Sequence, residues 1–586
     1  MAGLVSHDAE APMSVDSSTR RSGGRITFPF MIVTLFGLTL ATLGWLVNLI
    51  VFLIQVFNMK SIAAAKILNI FTGFTFMFPA IGAIAADSFF GTIPVISVSA
   101  FISLVGVVLL AITTLFDSLR PQACETASSL CQAPTKIQLG VLYTAITLGS
   151  VGAGGLRFTL ATAGANQYEK TEDQGSFFNW FFFTWYLAAS ISATAIVYAE
   201  ENISWSFGFG LCVAANLLGL MVFISGKRFY KHDKPLGSPF TSLLRVIFAA
   251  LLKRKAVVST NEKDYHSESK KPPTKSFRFF NRAALKQDDE VNADGTIRNQ
   301  WRLCSVQQVE DFKAVIRIIP LALAIIFLST PIAMQLGLTV LQGLVMDRRL
   351  GPHFKIPAGS LQVITLLSTC LFLIVNDRFL YPFYQKLTGK FPTPIQRVGI
   401  GHVFNILSMA MTAIVEAKRL KIVQNGHLLE SSSIADMSVL WLFPPLVIVG
   451  IGKELDLDNL FDLEVSSIYL CSWFCLLVAG EAFHFPGNVA LCYQEFPESM
   501  RSTATSITSV VIGICFYTST ALIDLIQRTT AWLPDDINHG RVDNVYWVLV
   551  IGGVLNLGYF LVCSWFYRYR NLKNDDHELD AAVSLS

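Results

Sequence analysis

Long apolar runs separated by short polar connections dominate the chain. They fall at about 30–54, 64–86, 93–115, 138–162, 177–199 and 205–225. Each is long enough for a helix of ~20 residues, rising 1.5 Å per residue, to cross a bilayer. A polar stretch over 226–313 breaks the rhythm, and runs at 314–338, 359–380, 397–415, near 438–495, 503–526 and 545–567 resume it. Six spans, a linker and six more predict an all-α polytopic membrane protein of two six-helix bundles, the arrangement in which two halves rock about a site near mid-membrane. The expected organisation is a polar tail (1–28), a first bundle (29–225), the linker (226–313), a second bundle (314–567) and a closing tail (568–586). Residues 1–28 hold no short apolar stretch with a small-residue cleavage site, so the first span is expected to be retained. That tail has too little apolar surface to offset the entropy of ordering.

Composition narrows the class. The 586 residues are 52% apolar and 15% charged, with a mean hydropathy of +0.50. Soluble domains carry about 25% charged residues, so an ordinary soluble enzyme, a disordered scaffold and a nucleic-acid binder are all poor readings. The ten cysteines show no paired C-x-x-C spacing, so neither a disulfide framework nor a zinc site is indicated, and no cofactor is expected. Net charge is only +3, but the linker holds 18 Lys/Arg against 10 Asp/Glu, including Lys253, Arg254 and Lys255. Lys/Arg excess marks the cytoplasmic face, which places the linker and both termini in the cytosol. Thr19-Arg20-Arg21-Ser22 offers a kinase a basic site on the exposed tail.

The segment 438–495 departs from the pattern. Residues 438–452 would span only ~22 Å as a helix, and Lys453-Glu454-Leu455-Asp456-Leu457-Asp458 then interrupts them. Joining 452 directly to Glu481 restores one good span, so 453–480 reads as an insertion, and its ends suit a retained in-frame intron. The competing reading is an acidic outer loop with an extra hairpin. The acidic string lacks the glycine and spacing of a calcium loop, so no metal site is inferred.

GAIAADSFFG (82–91), GAGGLRFTLATAGANQYE (152–169) and FFNWFFF (177–183) together resemble the proton-dependent oligopeptide transporter family, in its plant nitrate/peptide branch: the first is similar to the family's second-to-third-span element, the second to the plant fourth-span signature and the third to the fifth. EFPESMRS (495–502) and WLPDDINHGRVDNVYW (532–547) resemble the tenth-to-twelfth-span region, and SIAAAKI (61–67) and GEAFHFPGN (480–488) point to the nitrate excretion subgroup. The resemblance implies a major facilitator fold. It also implies a Glu-x-x-Glu-Arg element in the first span of proton-driven members. The matching positions here are Leu35, Leu38 and Thr39, so both carboxylates and the arginine are missing. The fourth-span cation of the family matches Arg157, and the tenth-span acid is kept as Glu481.

A guanidinium within an apolar span is costly and usually faces a cavity; unlike lysine, arginine stays charged there. With its first-span partners replaced by leucine, Arg157 is the candidate anion-binding charge, able to meet a planar oxyanion through two parallel hydrogen bonds. A structural or gating pair with Glu481 is the alternative role. Gln335 and Asn48 are further candidates, each either lining the cavity or bonding two helices together. Asp87 is read as a cap or gate residue on the linker side. The expected activity is passive, low-affinity efflux of nitrate, with chloride as a second candidate anion, across the plasma membrane. The alternatives are a proton-coupled symporter of nitrate, peptides or anionic plant metabolites such as glucosinolates, and a non-transporting paralogue.

Overall fold

The computed structural model describes residues 23–122, 132–168, 171–231, most of 239–425, 434–439 and 501–567. The first span is broken: α1 (Phe28–Val47), begun by a proline in its first turn, gives way at Asn48 to a short α2 (Leu49–Gln55). Helices α3 (Ser61–Ala85), α4 (Thr92–Leu115) and α5 (Lys136–Ala165) follow. A wide turn at Ala86–Phe90 separates α3 from α4; it ends on Gly91, whose φ of 77° suits a residue without Cβ. Thr135 and Gln138 cap α5 reciprocally. Helix α6 (Thr171–Ile191), a wide turn and α7 (Val197–Asn202) form one rod, and α8 (Trp205–Ser225) follows it.

The linker packs onto the second half. Helix α9 (Pro239–Leu252), a short α10 (Arg278–Asn281) and the turn that follows it lay Val246, Ala249, Ala284 and Leu285 against Val309 and Phe312 of α11 (Val306–Leu344). This explains why α11 starts well before the apolar run at 314: a capping box at Ser305/Gln308 and the linker's own apolar core extend it. Lys253, read from the sequence as part of a basic cluster, is 4% exposed and pairs with Glu290 at 2.6 Å while donating to the Leu285 carbonyl at 2.7 Å. Burial pushes the neighbouring Cys304 thiol up to about 11, against the pull of Lys253 and Arg245.

Beyond α11, strands β1 (Met346–Asp347), β2 (Arg349–Leu350) and β3 (Phe354–Lys355) form a small cap. In it β2 pairs antiparallel with β3. Then come α12 (Tyr381–Thr388), α13 (Pro394–Asn425), β4 (Ala435–Ser438, parallel to β1), α14 (Arg501–Thr529) and α15 (Val542–Phe566). Among the described residues, nine helices are long and apolar enough to cross a membrane. Helix α3 packs along α14 and α11, which joins the halves. One end of the assembly carries the linker; the other, called here the far end, carries the β1–β3 cap. The segment 453–480, and with it the insertion reading, lies outside the described residues.

Candidate functional site

A cavity of about 260 Å³ lies between the halves, walled by α1, α3, α5 and α6 on one side and by Leu336, Gln362 and Phe516 on the other. Leu35, Leu38 and Thr39 all line it, so the three positions matched to the missing first-span motif face the same space. They do so because positions 35, 38 and 39 stand at i, i+3 and i+4 and share one stripe of α1. Among the described lining residues none is ionisable; threonines at 39, 42, 72 and 75, with Trp185 and Gln362, supply its polarity.

Arg157 sits on α5 one residue beyond Leu156 and within a turn of Ala153 and Leu160, all three of which line the cavity. The glycines before it serve close helix approach. A Cβ at Gly152 would stand 2.3 Å from the Ser103 nitrogen of α4, and one at Gly155 would stand 2.2 Å from Ser99 Oγ. Asp87 lies in the wide turn that ends α3 at the linker end. Glu481 lies outside the described residues, and so does its expected pairing with Arg157.

The other two candidates bond helices together. Gln335 is 4% exposed and its Nε2 donates to Thr412 Oγ1 of α13 at 3.3 Å. Asn48, at the break in the first span, is 1% exposed and its Nδ2 donates to Glu200 Oε2 on α7 at 3.0 Å. Neither is among the described residues lining the cavity.

The far end holds a set of charges that sequence reasoning missed. Glu201 pairs with Arg348 of the cap at 3.4 Å, and Arg348 also donates to the Ile356 carbonyl. Lys66 of α3 pairs with Asp524 of α14 at 2.6 Å, and Lys60 pairs with Asp535 at 2.5 Å. These three ion pairs between the halves all lie at the far end. The adjacent acids Glu200 and Glu201 were the available signal. They close an apolar run, and an acid at such depth asks for a named partner.

The sequence signature of the POT family matches residues 93–461. The chain is similar, at 88% identity over 100% of both lengths, to protein NRT1/PTR FAMILY 2.6 of Arabidopsis thaliana. It is 79% identical to NRT1/PTR FAMILY 2.7 of the same plant, again over 100% of both, and 60% identical to NRT1/PTR FAMILY 2.3, over 99% of both. Among solved structures, an auto-inhibited POT family peptide transporter aligns with a TM-score of 0.63 at 17% identity, covering 93% of this chain and 97% of the other. The POT family transporter PepTSo aligns at 0.60 and 15%, covering 93% and 100%. At such identities the likeness speaks for the fold alone, which is the two-bundle major facilitator arrangement.

Proposed function

The chain belongs to the POT family of membrane transporters, which are not enzymes, and from that premise we propose that it carries nitrate passively outward across the plasma membrane, with both termini in the cytosol. One observation carries this reading. The positions where proton-driven members hold two carboxylates and an arginine are Leu35, Leu38 and Thr39, and they wall a cavity whose described lining holds no ionisable group. Leucine and threonine cannot change charge within a transport cycle. Arg157, beside three lining positions of α5, supplies the permanent cation that a planar anion needs. Gln335 and Asn48 act in this reading by holding helices around the site.

Direction follows from voltage. An elementary charge moved across 100 mV is worth ~2.3 kcal/mol, about fiftyfold in a distribution. In a plant cell, negative inside, an uncoupled anion therefore runs outward. In proteoliposomes under clamped voltage, the reversal potential should follow the nitrate gradient and stay fixed when a pH gradient is imposed. A reversal potential that moves with the proton gradient defeats the uncoupled reading. Arg157→Gln is expected to reduce nitrate flux at least tenfold; unchanged flux and selectivity would remove Arg157 from the mechanism.

A further inference from the structure

Glu200 is the buried acid that the transport reading leaves unused. It is 1% exposed, and Asn48 Nδ2 reaches its Oε2, whereas its Oε1 is buried with no hydrogen-bond partner. Glu416, on α13, shows what a compensated buried carboxylate looks like here. It takes two bonds from Arg419, at 2.9 and 2.7 Å, and one from Gln342 at 2.7 Å. Glu200 is placed instead in an apolar notch. Gly208 of α8 lies so close that a Cβ there would stand 2.2 Å from Glu200 Cγ. The titratable and charged groups around it are Glu201 on its own helix, Cys212 on α8 and, beyond Glu201, Arg348 of the opposite half. The first span presents only the non-titrating Asn48.

The opposite half completes the enclosure. Ala358 is fully buried in the same apolar cluster as Ile196, Phe209 and Cys212, and Gly359 packs against Asn48. Parting the halves at the far end withdraws Ala358 and Gly359 and lets water reach the carboxyl. A charged carboxylate with a single amide donor is poorly accommodated in such a place, whereas the neutral acid fits. We infer that Glu200 is a proton-binding site linked to closure of the far end: it holds a proton while residues 356–361 lie against α7 and releases it when that end opens. Proton uptake and release then occur on the same side of the membrane. The site sets how readily the far end opens and leaves the driving force for the anion untouched, so it is compatible with uncoupled transport.

The test is amide hydrogen exchange of the full-length protein in nanodiscs between pH 5 and 8, read at 356–361 and corrected for intrinsic rates. Wild-type protection is expected to fall with rising pH, by up to tenfold per unit, the slope of a single linked proton. Glu200→Gln mimics the neutral acid and should keep high, pH-independent protection. Should that variant fail to fold, Asn48→Leu removes the donor that favours the ionised form, and the midpoint should move to higher pH at unchanged slope. A flat wild-type profile, a slope surviving in Glu200→Gln, or a midpoint unmoved in Asn48→Leu would each overturn the inference. The measurement needs no transported anion, so its outcome is separate from that of the nitrate reading.

Discussion

Returning one acid to the first span tests whether the cavity is the anion path. Leu35 is 4% exposed and lines the space between the halves. A cavity of about 260 Å³ is equivalent to a sphere about 4 Å in radius, so a carboxylate at position 35 stands ~6 Å from an anion at its centre. At an effective dielectric constant of ~20 the repulsion is ~2.8 kcal/mol, about a hundredfold in affinity. Leu35→Glu should therefore lose nitrate flux by about that factor at neutral pH, relative to the uncharged control Leu35→Gln. The sign of the pH dependence is fixed: protonation removes the repulsion, so flux recovers on acidification. The assay is voltage-clamped efflux from proteoliposomes, with each variant compared with Leu35→Gln at the same pH. If Leu35→Glu and Leu35→Gln transport nitrate equally at every pH, position 35 does not face the anion and the central-cavity pathway is wrong.

Lys253→Gln should loosen the linker by ~3 kcal/mol, because it strands the largely covered Glu290 carboxylate, 11% exposed; site-resolved alkylation of Cys304, slow while the thiol is held at about 11, should quicken, whereas the exposed Arg254→Gln should leave it slow. Deleting 453–480 should raise surface expression and restore flux if that stretch interrupts a span, and reduced expression would mark it as a native part of the protein.

Most of the fold was legible because a membrane imposes one simple demand, apolar stretches of sufficient length, and the runs at 30–54 through 205–225 meet it. What was not legible depends on contacts distant in the chain. The break at Asn48 has no helix-breaking residue to announce it; its amide turns to an acid 152 positions away. Glu200 and Glu201 stand just past the end of the apolar run at 177–199, where hydropathy carries no information about burial. The early start of α11 required knowing that α9 folds back onto it. The leucines of α1 were legible as departures from a motif, but their grouping around a single cavity followed only from the arrangement of α1 against α3 and α5.

The placement of the cross-half ion pairs also makes the dissolved electrolyte a variable. Lys60 and Asp535 are 72% and 50% exposed, and Lys66 and Asp524 are 26% and 41% exposed, so mobile ions bathing that face compete directly with both bridges. Screening reaches in from ~30 Å at 0.01 M to ~3 Å at 1 M, whereas the sheltered Glu201–Arg348 contact feels little of it. The clasp thus has a salt-softened outer layer and a salt-indifferent inner one, and a dilute or a briny exterior would set different dwell times for the same molecule.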